Sequence, residues 1–349
     1  MNLTAISDTI LDETSRPNQL RDALDAFVLE GSEVTNVRPD VSFDAWAEDA
    51  LLATGVAINP QAAAHCALDY RRSVAFIRGI YAALNELKLR FPNTPLEILY
   101  AGCGPFATLL LPLLSKFVPG DLKLHLLDFH QRSLDSVELL LAHFGFEAHD
   151  VQTIKHDASA YQHPGRLHLV VAETMQKSLE QEPQFAVTAN LAPQLWPEGI
   201  FIPQCIEVAL CLADLEQEKL LIRQALGDDE GSHLEMDCLR RSLATVCTLV
   251  PDRALDQIRL AEKNATQAGS QLEPTIITIP TAPGLARLDA ALFTRIQVFG
   301  RHHLKDYESQ ITLPLKCYEL LPLGPGDSFR VSYHLGSYPK FQFQRLNQT

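Results

Sequence analysis

The chain has 349 residues, 46% of them hydrophobic and 21% charged, a balance that excludes whole-chain disorder, collagen and coiled-coil rods. Its 43 acidic and 29 basic residues give a net charge of -14, a field that repels a phosphate backbone and argues against nucleic acid as a partner. The length fits two domains, or one large domain with additions, and suffices to bury a core without disulfides or structural metal.

The N-terminal stretch MNLTAISDTILDETSRPNQL is acidic and lacks an apolar run, so no signal peptide is expected. No run of about 18 apolar residues occurs, so no membrane span is expected either. The seven cysteines, Cys66, Cys103, Cys205, Cys211, Cys238, Cys247 and Cys317, are odd in number and scattered without a CxxC pair. They read as reduced thiols of a cytoplasmic protein, and neither a disulfide framework nor a metal site is expected.

Residues 1–90 read as a helical region. Leu20, Ala23, Leu24 and Phe27 recur at helical spacing, as do Ala67, Val74, Ile77, Tyr81 and Leu84. Phe91-Pro92-Asn93-Thr94-Pro95 breaks that pattern. Short apolar runs then alternate with helical stretches. Leu96 to Ala101, Leu122 to Leu127, Val151 to Lys155 and Leu167 to Ala172 read as buried strands, with helices expected through Leu109 to Phe117 and from Ser133 to Phe144. Such alternation predicts an α/β, Rossmann-like, doubly wound parallel sheet over 91–203. From 204 to 349 the character is antiparallel β. Gly199 to Leu212, Ile276 to Ile279, Leu292 to Phe299, Ile311 to Leu321 and Ser328 to His334 are β-like, and a charged helical arm spans 213–265.

The sharpest local signal is Ala101-Gly102-Cys103-Gly104-Pro105-Phe106, where Gly102 and Gly104 follow a buried strand and precede the expected helix. Glycines there let the backbone approach a ligand, and a helix N-terminus behind them favours polar or anionic groups. Asp128, at the end of the second strand, can accept both hydroxyls of a ribose. Both NAD and S-adenosylmethionine fit that geometry. A nicotinamide site wants a third glycine, and Phe106 and Ala107 stand there instead. Asp157, after the third strand, can accept the exocyclic amine of an adenine. After the fourth strand come Glu173 and, nine residues on, Glu182. Two carboxylates at the carboxyl edge of a parallel sheet point into the ligand crevice, where they can clamp a planar guanidinium.

Taken together, this pattern resembles the protein arginine methyltransferases, a branch of the class I S-adenosylmethionine-dependent methyltransferases. Asp69-Tyr70-Arg71-Arg72-Ser73 is similar to that family's Asp-x-x-Arg-Thr helix, and Asn190 to Pro203 resembles its passage from helix through a Pro-Gly turn into a β-barrel. The resemblance covers residues 60–205 closely and the rest in outline. It implies a methyltransferase of arginine guanidinium with Glu173 and Glu182 as catalytic residues. Arg72, supported by Asp69, would hold the cofactor carboxylate beside Gly102, Gly104, Asp128 and Asp157, with Arg71 its competitor. It also implies Met175 in the active site, a β-barrel-like second domain, and a homodimer made through 213–265. The departures are Tyr100, where the family carries an acidic residue, Phe106 for the third glycine, and no Thr-His-Trp loop. If Gln310 aligns with the glutamine after that loop, Tyr307 stands in place of its histidine and becomes a substrate-binding residue. The missing loop favours free arginine or a small guanidine over a peptide. Methylation of another small metabolite, or a nucleotide-binding interaction module without catalysis, are the alternatives.

Overall fold

The computed structural model describes residues 2–42, 48–227, 240–265, 269–281 and 284–346. Helices α1 (Leu3–Leu11) and α2 (Pro17–Thr35) open the chain. A hairpin of β1 (Ala50–Leu52) and β2 (Gly55–Ala57) follows, then α3 (Pro60–Cys66) and the long α4 (Tyr70–Arg90). Each start is locally encoded. Pro17 and Pro60 preset φ in the first turns of α2 and α3, while the Asn59 and Asp69 side chains accept the backbone N–H of Ala62 and Arg72 as N-caps. The hairpin was not anticipated, since three-residue strands carry no period.

The central sheet contains β3 (Leu96–Ala101), β4 (Leu122–Asp128), β5 (Asp150–Lys155), β6 (Leu167–Ala172) and β7 (Leu195–Ile202) in the order β5-β4-β3-β6-β7, all parallel. Helix α5 (Gln131–His143) links β4 to β5, and α6 (Gln184–Leu191) precedes β7. Alternate strand residues divide between two cores. Leu96, Ile98, Leu124, Leu126, Leu169 and Val171 face α1, α2 and α4, while Leu99, Ala101, Leu127, Val170 and Ala172 pack with Val187 and Leu191 of α6.

No α-helix follows β3. Residues Leu111–Lys116 form a 3-10 helix with Pro112 in its first turn, and Ala107 sits at φ +43°. Pro105 and Pro112 remove two backbone donors that an α-helix would use. The expected helix dipole behind the glycine turn is therefore absent.

The second domain pairs β8 (Cys205–Ala213) with β9 (Arg240–Leu249) and with β11 (Asp289–Phe299), which also carries β12 (His302–Leu304) and the two-residue β13 (Leu315–Lys316). A second sheet joins β10 (Thr275–Thr278), β14 (Ser328–His334) and β15 (Lys340–Leu346). The expected strand over Ile311 to Leu321 is mostly 3-10 turn around β13. Within 213–265, α7 (Leu215–Gly227) and α8 (Pro251–Lys263) flank β9, so the arm returns to the sheet between its helices. Helix α8 packs on α6 of the same chain. The domains share one core, and α4 crosses β11 so closely that a Cβ on Gly79 would stand 2.6 Å from Val298 Cγ1.

No helix among the described residues is long and apolar enough to cross a membrane. Six of the cysteines are free thiols, and Cys238 lies outside the described residues.

Candidate active site

Strand order reverses at β3, whose neighbours β4 and β6 lead to opposite halves of the sheet. Open α/β sheets bind ligands at the carboxyl ends of the strands beside such a switch point. A cleft lies there, lined by Arg72, Gly102, Gly104, Asp128, Asp157, Glu173, Met175 and Glu182 among others. Every predicted site residue except Tyr307 lines it.

The turn after β3 depends on glycine. Gly102 has φ +69°, and a Cβ there would stand 2.5 Å from Thr174 Cγ2 at the end of β6. The turn is clasped to β4, because the Gly104 backbone N–H donates to Asp128 Oδ2 at 2.9 Å. Asp128 Oδ1 accepts the His130 N–H at 2.8 Å. Burial pushes the Asp128 carboxyl up, and those two backbone donors pull it back toward the carboxylate. The Ser133 hydroxyl donates to the same carboxylate, which leaves about one of its four acceptor sites for a ribose hydroxyl. Asp157 is half-committed: its Oδ1 accepts both the N–H and the hydroxyl of Ser159, at 2.8 and 2.7 Å.

Arg72 reaches the cleft from the first turn of α4, and its Nη1 donates to Glu173 Oε2 at 2.5 Å. The two side chains are only 8% and 6% exposed. Arg72 Nε and Glu173 Oε1 are buried with no partner among the described residues. A buried donor and a buried acceptor left open within one cleft point to a ligand that completes them. Burial raises the Glu173 carboxyl, and the Arg72 charge opposes it. Burial followed by repulsion from Glu173 pushes Glu182 up to about 8, against the weaker pull of the Arg72 charge and a Gln176 side-chain hydrogen bond. Asp69 supports Arg72 through the helix cap rather than through the guanidinium. Its other oxygen accepts the Ser309 hydroxyl at 2.6 Å and the Gln310 N–H at 2.7 Å, tying the second domain to the start of α4. Arg71 stays outside the cleft lining, with its Nε on the Tyr70 hydroxyl.

The loop from Glu173 to Glu182 is held in a costly shape. Ser178, Leu179 and Gln181 take φ of +59°, +57° and +67° without being glycine. Contacts from distant elements enforce it. Thr294 of β11 accepts the Ser178 N–H, the Tyr333 hydroxyl donates to the Leu179 carbonyl, and the Val56 N–H of the hairpin donates to the Gln181 carbonyl. Gly55 lies against the Glu182–Pro183 backbone, where a Cβ would meet Pro183 N at 2.6 Å. Glu182 is thus placed by the second domain and the hairpin together.

Sequence reasoning missed several contributors. Gln184, fully buried, accepts the Thr174 N–H and donates to the Ala172 carbonyl, fixing the strand end that carries Glu173. Hairpin residues Leu52, Val56 and Ala57 wall the cleft, as does Cys66, whose thiol burial pushes up to about 12. Phe106 lines the cleft, yet its ring meets Phe27 edge-on at 6.5 Å and covers Gly31 of α2. Met175 is 3% exposed and borders both cleft and core.

Tyr307 is corrected: it does not line the cleft. Its hydroxyl donates to Glu218 Oε2 at 2.5 Å, within a knot where Arg240 also binds Glu218 and Asp306 and covers the Phe293 ring at 4.0 Å. That ion-pair network holds α7, β9 and the loop after β12 together, with Tyr307 engaged in it.

No family model matches the chain, and no curated protein matches it. Among solved structures, the chain is similar to a Trypanosoma brucei PRMT1 enzyme–prozyme heterotetrameric complex with AdoHcy, at TM-score 0.46 and 12% identity over 80% of this chain and 96% of that one. It is also similar to protein arginine methyltransferase 10 of Arabidopsis thaliana in an open conformation, at TM-score 0.42 and 11% identity over 74% and 84% of the two chains.

Proposed function

We propose that this protein is an S-adenosylmethionine-dependent N-methyltransferase of a guanidinium group, with free arginine or a small guanidine as its substrate. The observation that carries the reading is the meeting, in one switch-point cleft, of a glycine turn, the ribose-competent Asp128 and two buried carboxylates, one of them bound to Arg72. The residues fit the cofactor: the Gly102 turn, Asp128 and Asp157 line the cleft, and Arg72 Nε, buried without a partner among the described residues, is a donor for its carboxylate. The preference for a small substrate rests on the missing Thr-His-Trp loop.

Bound in that cleft, S-adenosylmethionine supplies a methyl group on a sulfonium, open to in-line attack by a nitrogen. Glu173 orients the planar cation through its unpartnered oxygen, with Arg72 fixing the other. Glu182, across the site, draws positive charge toward the nitrogen it binds and leaves the electron pair of the attacking nitrogen less delocalised. Both carboxylates stabilise the extra charge that builds as the bond forms. Glu182 then takes the departing N–H proton and passes it to solvent.

The test is transfer of a radiolabelled methyl group to free L-arginine and, separately, to arginine-containing peptides. Label on free arginine supports the reading. Label on peptides alone reassigns the substrate to protein arginine, and no label on any guanidine removes the proposal. The same assay has a pH signature. Glu182 must be ionised to receive a cation, so kcat/KM is expected to fall about tenfold per pH unit below about 8. Its folded-state value is raised above 4.5, so stability present at low pH is lost as pH rises through about 8. Glu182→Gln is therefore expected to melt a few degrees above the parent at pH 9 and level with it at pH 4, as read by thermal unfolding at both pH values.

A further inference from the structure

The core on the α6 side of the sheet holds a second chemical cluster, at the end of the strands remote from the cleft. Glu97 is the second residue of β3, His125 lies in the middle of β4, and His163 stands in the loop entering β6. The His125 Nε2 is 3.0 Å from Glu97 Oε1, and the His163 Nε2 is 3.8 Å from the same oxygen. All three ligand atoms lie within 4.8 Å of one another. The imidazoles are 8% and 3% exposed, and the carboxylate 24%.

We propose that Glu97, His125 and His163 form a binding site for a divalent transition-metal ion of the zinc class. Two imidazoles and one carboxylate suit such an ion and leave a fourth position for water. Bonds of roughly 2.0–2.2 Å to a tetrahedral ion place its ligand atoms about 3.3–3.5 Å apart, between the two separations seen. His163 has the surroundings a ligating histidine needs, while His125 Nδ1 is buried with no partner among the described residues. The Tyr161 hydroxyl stands 3.2 Å from His163 Nδ1 as an outer partner. Gln194 fixes the same loop by accepting the His163 N–H at 2.8 Å and donating to the Tyr161 carbonyl at 2.9 Å. Lys123 Nζ approaches the other Glu97 oxygen at 3.7 Å, so Oε1 is left to the ion. Hydrogen bonding alone accounts poorly for the cluster, because 3.8 Å is no hydrogen bond from His163 to Glu97. Partial exposure of Glu97 provides the way in.

An ion here would join β3, β4 and the loop before β6 about 16 Å along β3 from Gly102. The site is thus separable from methyl transfer. The experiment uses the full chain, stripped with a chelator and titrated with Zn2+ against a chromophoric competitor. One equivalent is expected to bind and to raise the melting temperature, while Mg2+ and Ca2+ leave it unchanged. His125→Gln and His163→Gln are expected to abolish that equivalent. Tyr161→Phe keeps every ligand and is expected to weaken binding about 10- to 100-fold, which keeps the test valid should a histidine variant fold poorly. Absence of stoichiometric Zn2+ binding overturns the proposal. So does binding that survives His125→Gln, His163→Gln and Tyr161→Phe unchanged, which would locate the ion on other histidines.

Discussion

Glu173→Gln is expected to lower kcat by about 10²–10³-fold, the cost of removing one preorganised charge from where positive charge builds in a transition state. The substitution keeps the shape and keeps an acceptor for the Arg72 Nη1 donor. It removes the negative charge that the substrate cation meets at Oε1, the oxygen with no partner among the described residues. Cofactor affinity is expected to change little, because Gly102, Gly104 and Asp128 stay in place. Single-turnover methyl transfer beside a cofactor titration separates the two effects. A Glu173→Gln protein with parental kcat would show that the carboxylate pair is incidental to the chemistry.

Arg72→Met is expected to act on stability first. The guanidinium and the Glu173 carboxylate are both almost fully buried, and removing one partner of such a pair costs about 3–5 kcal/mol because the other charge remains uncompensated. Burial already raises the Glu173 carboxyl, and without Arg72 it rises further. The folded variant therefore favours the protonated acid, so its deficit is smallest near pH 4–5 and grows as pH rises. Denaturant unfolding at pH 5 and pH 8 measures this. Adding Glu173→Gln is expected to recover much of the loss, giving a large coupling in the double-mutant cycle. A deficit equal at both pH values would mean that Arg72 stabilises by packing rather than by charge.

The parallel strands were legible because burial on both faces leaves near-continuous apolar runs such as Leu96–Ala101 and Leu167–Ala172. The segment after β3 was misread as a helix because apolar spacing cannot weigh Pro105 and Pro112 against it. Strand β9 hid behind the polar start Arg240-Arg241-Ser242, where Arg241 and Ser242 are exposed and Arg240 turns into the ion-pair knot, a pattern that mimics a charged helix. At the site, the order along the chain was enough to place Gly102, Asp128, Glu173 and Glu182 at one edge. It could not place the forces that set Glu182, since Thr294 and Tyr333 lie 116 and 154 residues from the loop positions they hold. Tyr307 shows the converse. Its distance from Gln310 invited an assignment to the substrate, but Arg240 and Glu218, far away in sequence, decide where the ring goes.

The most direct measurement is calorimetric titration of the parent protein and of Glu173→Gln with S-adenosylhomocysteine, followed by L-arginine. The parent is expected to bind the first with one-to-one stoichiometry and then to give an arginine heat that Glu173→Gln lacks. Failure of the parent to bind S-adenosylhomocysteine would contradict the assignment of the cleft.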